Sequence, residues 1–481
     1  MIYLSTILIY LLTLVGLGLF KAKKIKTQTD FAVAGRTLTP WILVGTMLAT
    51  WIGTGSILGN AGKAYETGLA ALILPLGGVL GVIVLTQIAG KVRAYEKFTV
   101  PEILGDRFGP VARALSVVAL VIAYMVIVSY QYNAGGAVIF TVLKDVLVDS
   151  FGDPLISIQV GTIIAAVFII FYTMLAGLVS VAYTDVANGI IIITSLIIAI
   201  PIFFINAGGI EGMTISFAEM DKQNHMNFWG VYSLMDVINF CLPSFLLIMG
   251  DANMYQRFFA SKDAQGAKSA TKTLIIAVAV AELMIILAAW IASSMIPDAE
   301  VGKYVLIYAS HEFLPPFIGA IMMTTIVGII ISTADSYLLV PTTTLMRDIY
   351  LNYFDINANQ KKIVFLSRVL VVILGVIAYF VSLGFAKSAG FFERALYAYT
   401  IYGAAITPSL VAALFWKQAT KEGAISSILV GTMTTLIWKE SSFIQKIVPS
   451  NIYGSMDEVL PAITLSVFSL IVVSYITKNK N

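Results

Sequence analysis

The sequence predicts an all-α polytopic membrane protein of thirteen transmembrane helices, with its N-terminus outside and its C-terminus inside. Three observations carry this expectation. Of 481 residues 59% are apolar and only 12% are charged, where a soluble domain carries roughly 25% charged residues. At a mean hydropathy of +0.90, too little polar surface remains to cover one or two soluble cores. Apolar runs long enough to span a bilayer, about 18 residues or more, recur along the whole chain. Finally, of the 30 Lys and Arg, 22 fall in alternate connections that would face the cytoplasm and 8 in the others, the bias of the positive-inside rule. The same composition excludes disorder, collagen-like repeats and a disulfide scaffold, since Cys241 is the single cysteine.

The spans centre near residues 11, 49, 79, 122, 166, 195, 240, 283, 326, 374, 404, 430 and 468. The first, Ile2 to Phe20, has no basic residues before it and four lysines (Lys21, Lys23, Lys24, Lys26) after it. A cleaved signal peptide carries its charge first, so a retained helix is expected. Spans two to six and seven to eleven make two consecutive sets of five. Five is odd, so structural repeats of this kind must lie in opposite orientations, an architecture that puts substrate at the repeat interface near the midplane. The opening helix of each set carries breakers: Gly53-Thr54-Gly55 in one, Pro243 and Gly250 in the other. The expected organisation is a first helix and basic loop over 1–37, five-helix sets over 38–206 and 228–416, and two C-terminal helices over 417–481.

Polar residues at membrane depth are the candidate site. Asp185 follows Val181-Ala182-Tyr183-Thr184 at the start of the sixth span. A carboxylate there costs about 2.5–3.5 kcal/mol by insertion scales and therefore has a partner or a function, or caps the helix N-terminus. If it binds an ion, Asp185→Asn should alter coupling more than folding. In the ninth span, residues 329, 332, 333 and 336 share one helical face. Ser332, Thr333 and Ser336 put three hydroxyls on it, with Asp335 beside them. Hydroxyls and the carbonyls freed by a broken helix around Ala49 to Ile52 suit a hard cation such as sodium. The bland alternative is hydroxyls bonded to their own i−4 carbonyls. Trp51, Tyr130, Gln131, Tyr132 and Asn133 are pocket candidates, although aromatics at helical spacing are more often packing. Gly53-Thr54-Gly55-Ser56 has no strand before it and is not a dinucleotide loop. Glu282 and Asp236 carry no assigned role.

Four stretches in this order resemble the sodium:solute symporter family: Ala49-Thr50-Trp51-Ile52, Ala176 to Asp185, Tyr255-Gln256-Arg257, and Ser332-Thr333-Ala334-Asp335-Ser336. Trp416-Lys417 followed by Gly423-Ala424 is similar to the family's C-terminal signature, with Gln418 where a basic residue is usual. The resemblance implies inverted repeats of the leucine-transporter type and sodium-driven uptake through the cell membrane. It assigns a first sodium to the carbonyls of Ala49, Ile52 and Ile329 and the hydroxyls of Ser332 and Thr333. In members that hold a second sodium, Asp185, Asp335 and Ser336 lie near it. Sugar-transporting members use polar residues at positions matching Ser56, Pro75 and Ser244, which argues against a sugar here. The motifs look most like the choline branch, where aromatics hold a quaternary ammonium, but Asp251 replaces a tryptophan of that branch. An acid there pairs a substrate amine or caps a broken helix.

The expected function is sodium symport of a small organic solute, with an amino acid or amine favoured over a carboxylate, a sugar or urea. A channel or transporter-like sensor is the competing class. A membrane-embedded metalloprotease is excluded, because neither His225 nor His311 lies in a span and no HExxH is present. The implied partners are the solute, the co-transported sodium and the lipid bilayer, with no nucleic acid and no obligate protein partner.

Overall fold

The computed structural model describes residues 2–22, 25–385, 390–438 and 441–478. Among these the chain is helical almost throughout, with one isolated β-bridge between Leu38 and Ser261. The long helices are α1 (Ile2–Ala22), α2 (Pro40–Trp51), α3 (Leu76–Ala94), α4 (Pro110–Phe151), α5 (Pro154–Asn206), α6 (Leu234–Gly250), α7 (Ala252–Ala260), α8 (Ala264–Ser293), α9 (Pro316–Thr344), α10 (Gln360–Phe385), α11 (Phe391–Phe415), α12 (Lys421–Trp438) and α13 (Val459–Thr477).

By length and hydropathy, ten helices among the described residues are able to cross a membrane, or eleven if one bent pair counts as a span. That differs from the thirteen spans expected, for identifiable reasons. The spans near 166 and 195 run end to end as α5, whose 53 residues amount to about 80 Å of helix, far more than one bilayer. They part at Gly177, whose φ of 56° and ψ of 172° are open only to glycine. The span near 430 forms α12, which packs against α11 and α13. The span near 49 is the bent pair, α2 and the segment from Gly55 to Ile73, meeting at 50°.

The bend begins at Ile52, where φ is −73° and ψ 87°. The opening helix of the second set breaks as well, at Asp251 (φ −56°, ψ 113°) between α6 and α7. Of the two breakers expected there, Gly250 adjoins the break, while Pro243 sits inside unbroken helix. A Cβ at Gly250 would lie 2.3 Å from the Thr407 hydroxyl, so glycine is required by close approach to α11. The largely buried α9 packs against α4 and α5 and lies within reach of both breaks.

Contacts between connections gather in two groups. At one end Arg36 donates to the Glu96 carbonyl (2.7 Å), Arg93 to that of Ser261 (2.7 Å) and Arg107 to that of Lys417 (2.7 Å). Arg347 faces Glu102 there as well, at 3.6 Å. At the other end Tyr3 donates to the His311 carbonyl, His225 to that of Tyr65, and Lys63 pairs with Glu393. One basic residue counted with the cytoplasmic loops belongs to neither end. Arg257 lies on α7 and is fully buried in the bundle, because a carboxylate waits for it there.

Candidate functional site

The break in α2 exposes particular carbonyls. In an unbroken helix the Ala49 carbonyl would accept from Gly53 N–H and that of Ile52 from Ser56 N–H. Instead Gly53 N–H turns to Trp51 O (2.9 Å) and Ser56 N–H to Gly53 O (3.1 Å). Both Ala49 and Ile52 are buried, so their carbonyls have lost their helical donors inside the bundle. The second break is different. There Thr407 donates to Leu246 O (2.7 Å), Tyr402 to Gly250 O (2.8 Å) and Tyr255 to Met249 O (3.1 Å). Hydroxyls close the second break, whereas the first stays open to a ligand.

Facing the first break is the hydroxyl stripe of α9. A Cβ on Gly53 would lie 2.9 Å from both Thr333 Oγ1 and Cγ2, which fixes how closely the two elements meet. Thr333 Oγ1 is buried and has no hydrogen-bond partner among the described residues. Such an orphan costs about 1–3 kcal/mol unless a ligand satisfies it. Ser332 donates its proton to Asp185 Oδ1 at 2.5 Å, which leaves its lone pairs for a cation. Ile329 lies one turn earlier on the same buried face. The donor set of two stranded carbonyls and two hydroxyls therefore fits a hard, singly charged cation.

Asp185 does not cap a helix. It lies two turns past Gly177, wholly buried, and accepts from Ser332 on α9 and from Thr46 on α2 (2.5 Å). Its second oxygen is 3.7 Å from the Arg257 guanidinium, which in turn donates to Ser336 at 2.6 Å. Thus Arg257 occupies the space between Asp185 and Ser336, two of the three residues grouped as a second ion site. The third, Asp335, turns to α5 and accepts from Thr173.

The other candidates separate. Trp51, Ser56 and Ser244 line one cleft. Gln131 accepts from Thr54 at the break, with its amide nitrogen left unpartnered, and Tyr130 meets Tyr399 of α11. Tyr132 faces away, towards Gly375 of α10. Asp251 accepts from Tyr124 and from Asn253 N–H (3.1 Å), capping α7. Asp236 forms a capping box with Ser233 at the start of α6. Sequence reasoning missed what Arg257 and Glu282 do. Glu282 of α8 accepts from Ser56 (2.6 Å) and Asn60 (3.0 Å) in the cleft beside Trp51; a carboxylate inside an apolar run was its only signal.

The osmoregulated proline transporter OpuE of Bacillus subtilis (strain 168) is 26% identical over 98% of this chain and 94% of its own length. The high-affinity proline transporter PutP of the same strain is 25% identical over 96% and 95%. Among solved structures, a Na+-coupled sialic acid symporter in a substrate-bound outward-open state matches with a TM-score of 0.80 at 16% identity, covering 100% of this chain and 98% of that one. MhsT in complex with L-phenylalanine matches with a TM-score of 0.54 at 13% identity, over 91% and 98%. These likenesses establish a shared transporter fold. The sodium:solute symporter family model matches residues 31–431, and the chain belongs to the sodium:solute symporter family.

Proposed function

We propose that the protein imports a small organic solute together with sodium across the cell membrane, and that the solute is an amino acid or amine. The observation that carries this reading is the unsatisfied oxygen set at the α2 break: the Ala49 and Ile52 carbonyls opposite Ser332 and the orphaned Thr333 hydroxyl. Those groups, with the Ile329 carbonyl, form the first sodium site. Asp185 acts from behind it by orienting Ser332, and Asp335 with Thr173 is the better candidate for any second ion, since Arg257 already neutralises Asp185. The proline transporters that align over nearly the whole chain favour the amino-acid class over the choline branch suggested by short motifs.

The chain crosses the membrane thirteen times, N-terminus out and C-terminus in, with inverted sets over 38–206 and 228–416 flanked by 1–37 and 417–481. Splitting α5 at Gly177 and counting the bent pair and α12 supports that number. Uptake of L-proline into proteoliposomes, with a sodium gradient and with potassium in its place, tests the function. Sodium-dependent accumulation is expected. Equal uptake in both salts, or a sugar or dicarboxylate as the sole sodium-driven solute among those offered, would overturn it.

A further inference from the structure

Among the described residues, Asp335, which accepts from Thr173 on α5, and Glu282 are buried carboxylates with no basic side chain acting on them. Asp185 has Arg257 within 3.7 Å. Asp251 caps α7 and is held by Tyr124. Glu282 is 2% exposed, in the middle of α8. The Trp51 indole N–H is one neutral donor beside it; the others among the described residues are the Ser56 hydroxyl and the Asn60 amide. Both come from the single wide helical turn Gly55–Asn60 that follows the α2 break, and at spacing i, i+4 both face the carboxylate. These neutral donors orient Glu282 but bring no positive charge to it.

The surroundings say which cation is missing. The cleft at Glu282 is walled by Trp51, Phe392, Leu396 and Tyr399, with Ser244 at its side. Ser56, Asn60 and Ser244 contribute polar atoms to this cleft, and apart from them and Glu282 its walls are aromatic or aliphatic. Aromatic faces attract an organic cation, whose charge is spread over carbon-bound hydrogens. The cleft holds about 20 Å³ of free space, room for about one water, so a solute enters only if the walls move apart.

We propose that Glu282 recognises the cationic nitrogen of the transported solute, so that the protein selects solutes bearing a protonated amine or quaternary ammonium and rejects their uncharged isosteres. This rests on the symport reading above, and it moves the cation-recognising role from Asp251, on the α6–α7 break, to a residue on α8.

The test uses the full-length protein in nanodiscs and thermal-shift titration, in sodium chloride and in potassium chloride. The probes are two isosteric pairs, L-proline with cyclopentanecarboxylate, and choline with 3,3-dimethylbutan-1-ol. At least one ammonium probe should bind the wild type about tenfold or more tightly than its isostere, the scale of one charge-assisted contact. Glu282→Gln should erase that preference and keep its stabilisation by sodium alone. No preference for either ammonium probe would overturn the proposal, as would a Glu282→Gln protein with affinity within about twofold of wild type. Loss of sodium stabilisation in that variant would make Glu282 an ion ligand and also overturn it. Should Glu282→Gln fail to fold, Glu282→Asp decides: it should keep the preference for charge at weaker affinity, and unchanged affinity would count against the role. If sodium stabilises the wild type no more than potassium, the sodium-symport reading fails, while the isostere comparison still reports on Glu282.

Discussion

Thr333 and Ser332 differ in what they do besides facing the α2 break. The Thr333 hydroxyl is buried without a partner, whereas that of Ser332 already donates to Asp185. Removing the Thr333 oxygen deletes an orphan, so Thr333→Ala should leave folding intact. Each variant loses one of about five sodium ligands, which should weaken the ion by roughly 1–3 kcal/mol, or about 5- to 150-fold in the sodium concentration for half-maximal uptake. Sodium titration of uptake measures this, and an unchanged requirement in both alanine variants would remove the assignment. The sequence led us to expect Asp185→Asn to alter coupling more than folding. Its buried partner reverses that order, because neutralising Asp185 leaves Arg257 as an uncompensated charge, a loss of about 3–5 kcal/mol. Thermal unfolding should show Asp185→Asn melting well below wild type, with Arg257→Met restoring much of the loss in the double variant. Equal melting of Asp185→Asn and wild type would show that the pair contributes no stability.

Among the elements, the two broken helices look alike in sequence and differ in what fills the gap. Tyr402 and Thr407 of α11 and Tyr255 of α7 take the carbonyls of the α6 end. Among the described residues no such hydroxyl reaches Ala49 or Ile52, and this difference is why we propose the ion at the α2 break. The long α5 poses a different problem, since its helical backbone is interrupted at one residue. That residue is Gly177, at φ +56°, and a Cβ there would also lie 2.8 Å from Ile25 Cδ1 and 3.1 Å from Phe31 Cδ2. Gly177→Ala should therefore destabilise by about 1–3 kcal/mol, seen as an earlier thermal transition. Gly16→Ala on α1, where nothing lies within 4 Å, is the matched control and should melt like wild type.

At the scale of the molecule, the two ends give the orientation a direct test. Trp229 is 79% exposed in the segment after His225, and Ile356 is 76% exposed between Tyr350 and Gln360 at the basic end. Cys241→Ser supplies a background free of thiols. In intact cells an impermeant thiol reagent should label Trp229→Cys and reach Ile356→Cys only after permeabilisation. The opposite pattern would invert the topology. Arg257 shows where such counting errs for a single residue: charge bias is a property of loops taken together, and it cannot tell a loop arginine from one buried beside a carboxylate.

The sequence by itself determined the class and the ion chemistry. Hydropathy is a property of local runs, and the hydroxyl stripe of Ser332, Thr333 and Ser336 is set by helical periodicity alone, so both were legible without contacts. The approximate place of each break was legible too, through glycines. Only tertiary structure decided which break keeps its carbonyls free, because that depends on hydroxyls contributed by α11, more than 150 residues away. It also decided that Arg257 stands between Asp185 and Ser336, that Asp251 is a cap, and that Glu282 meets Ser56 and Asn60 across 226 and 222 residues. Charge compensation at membrane depth is a matter of distances of a few ångströms between helices, and no spacing along the chain encodes those distances.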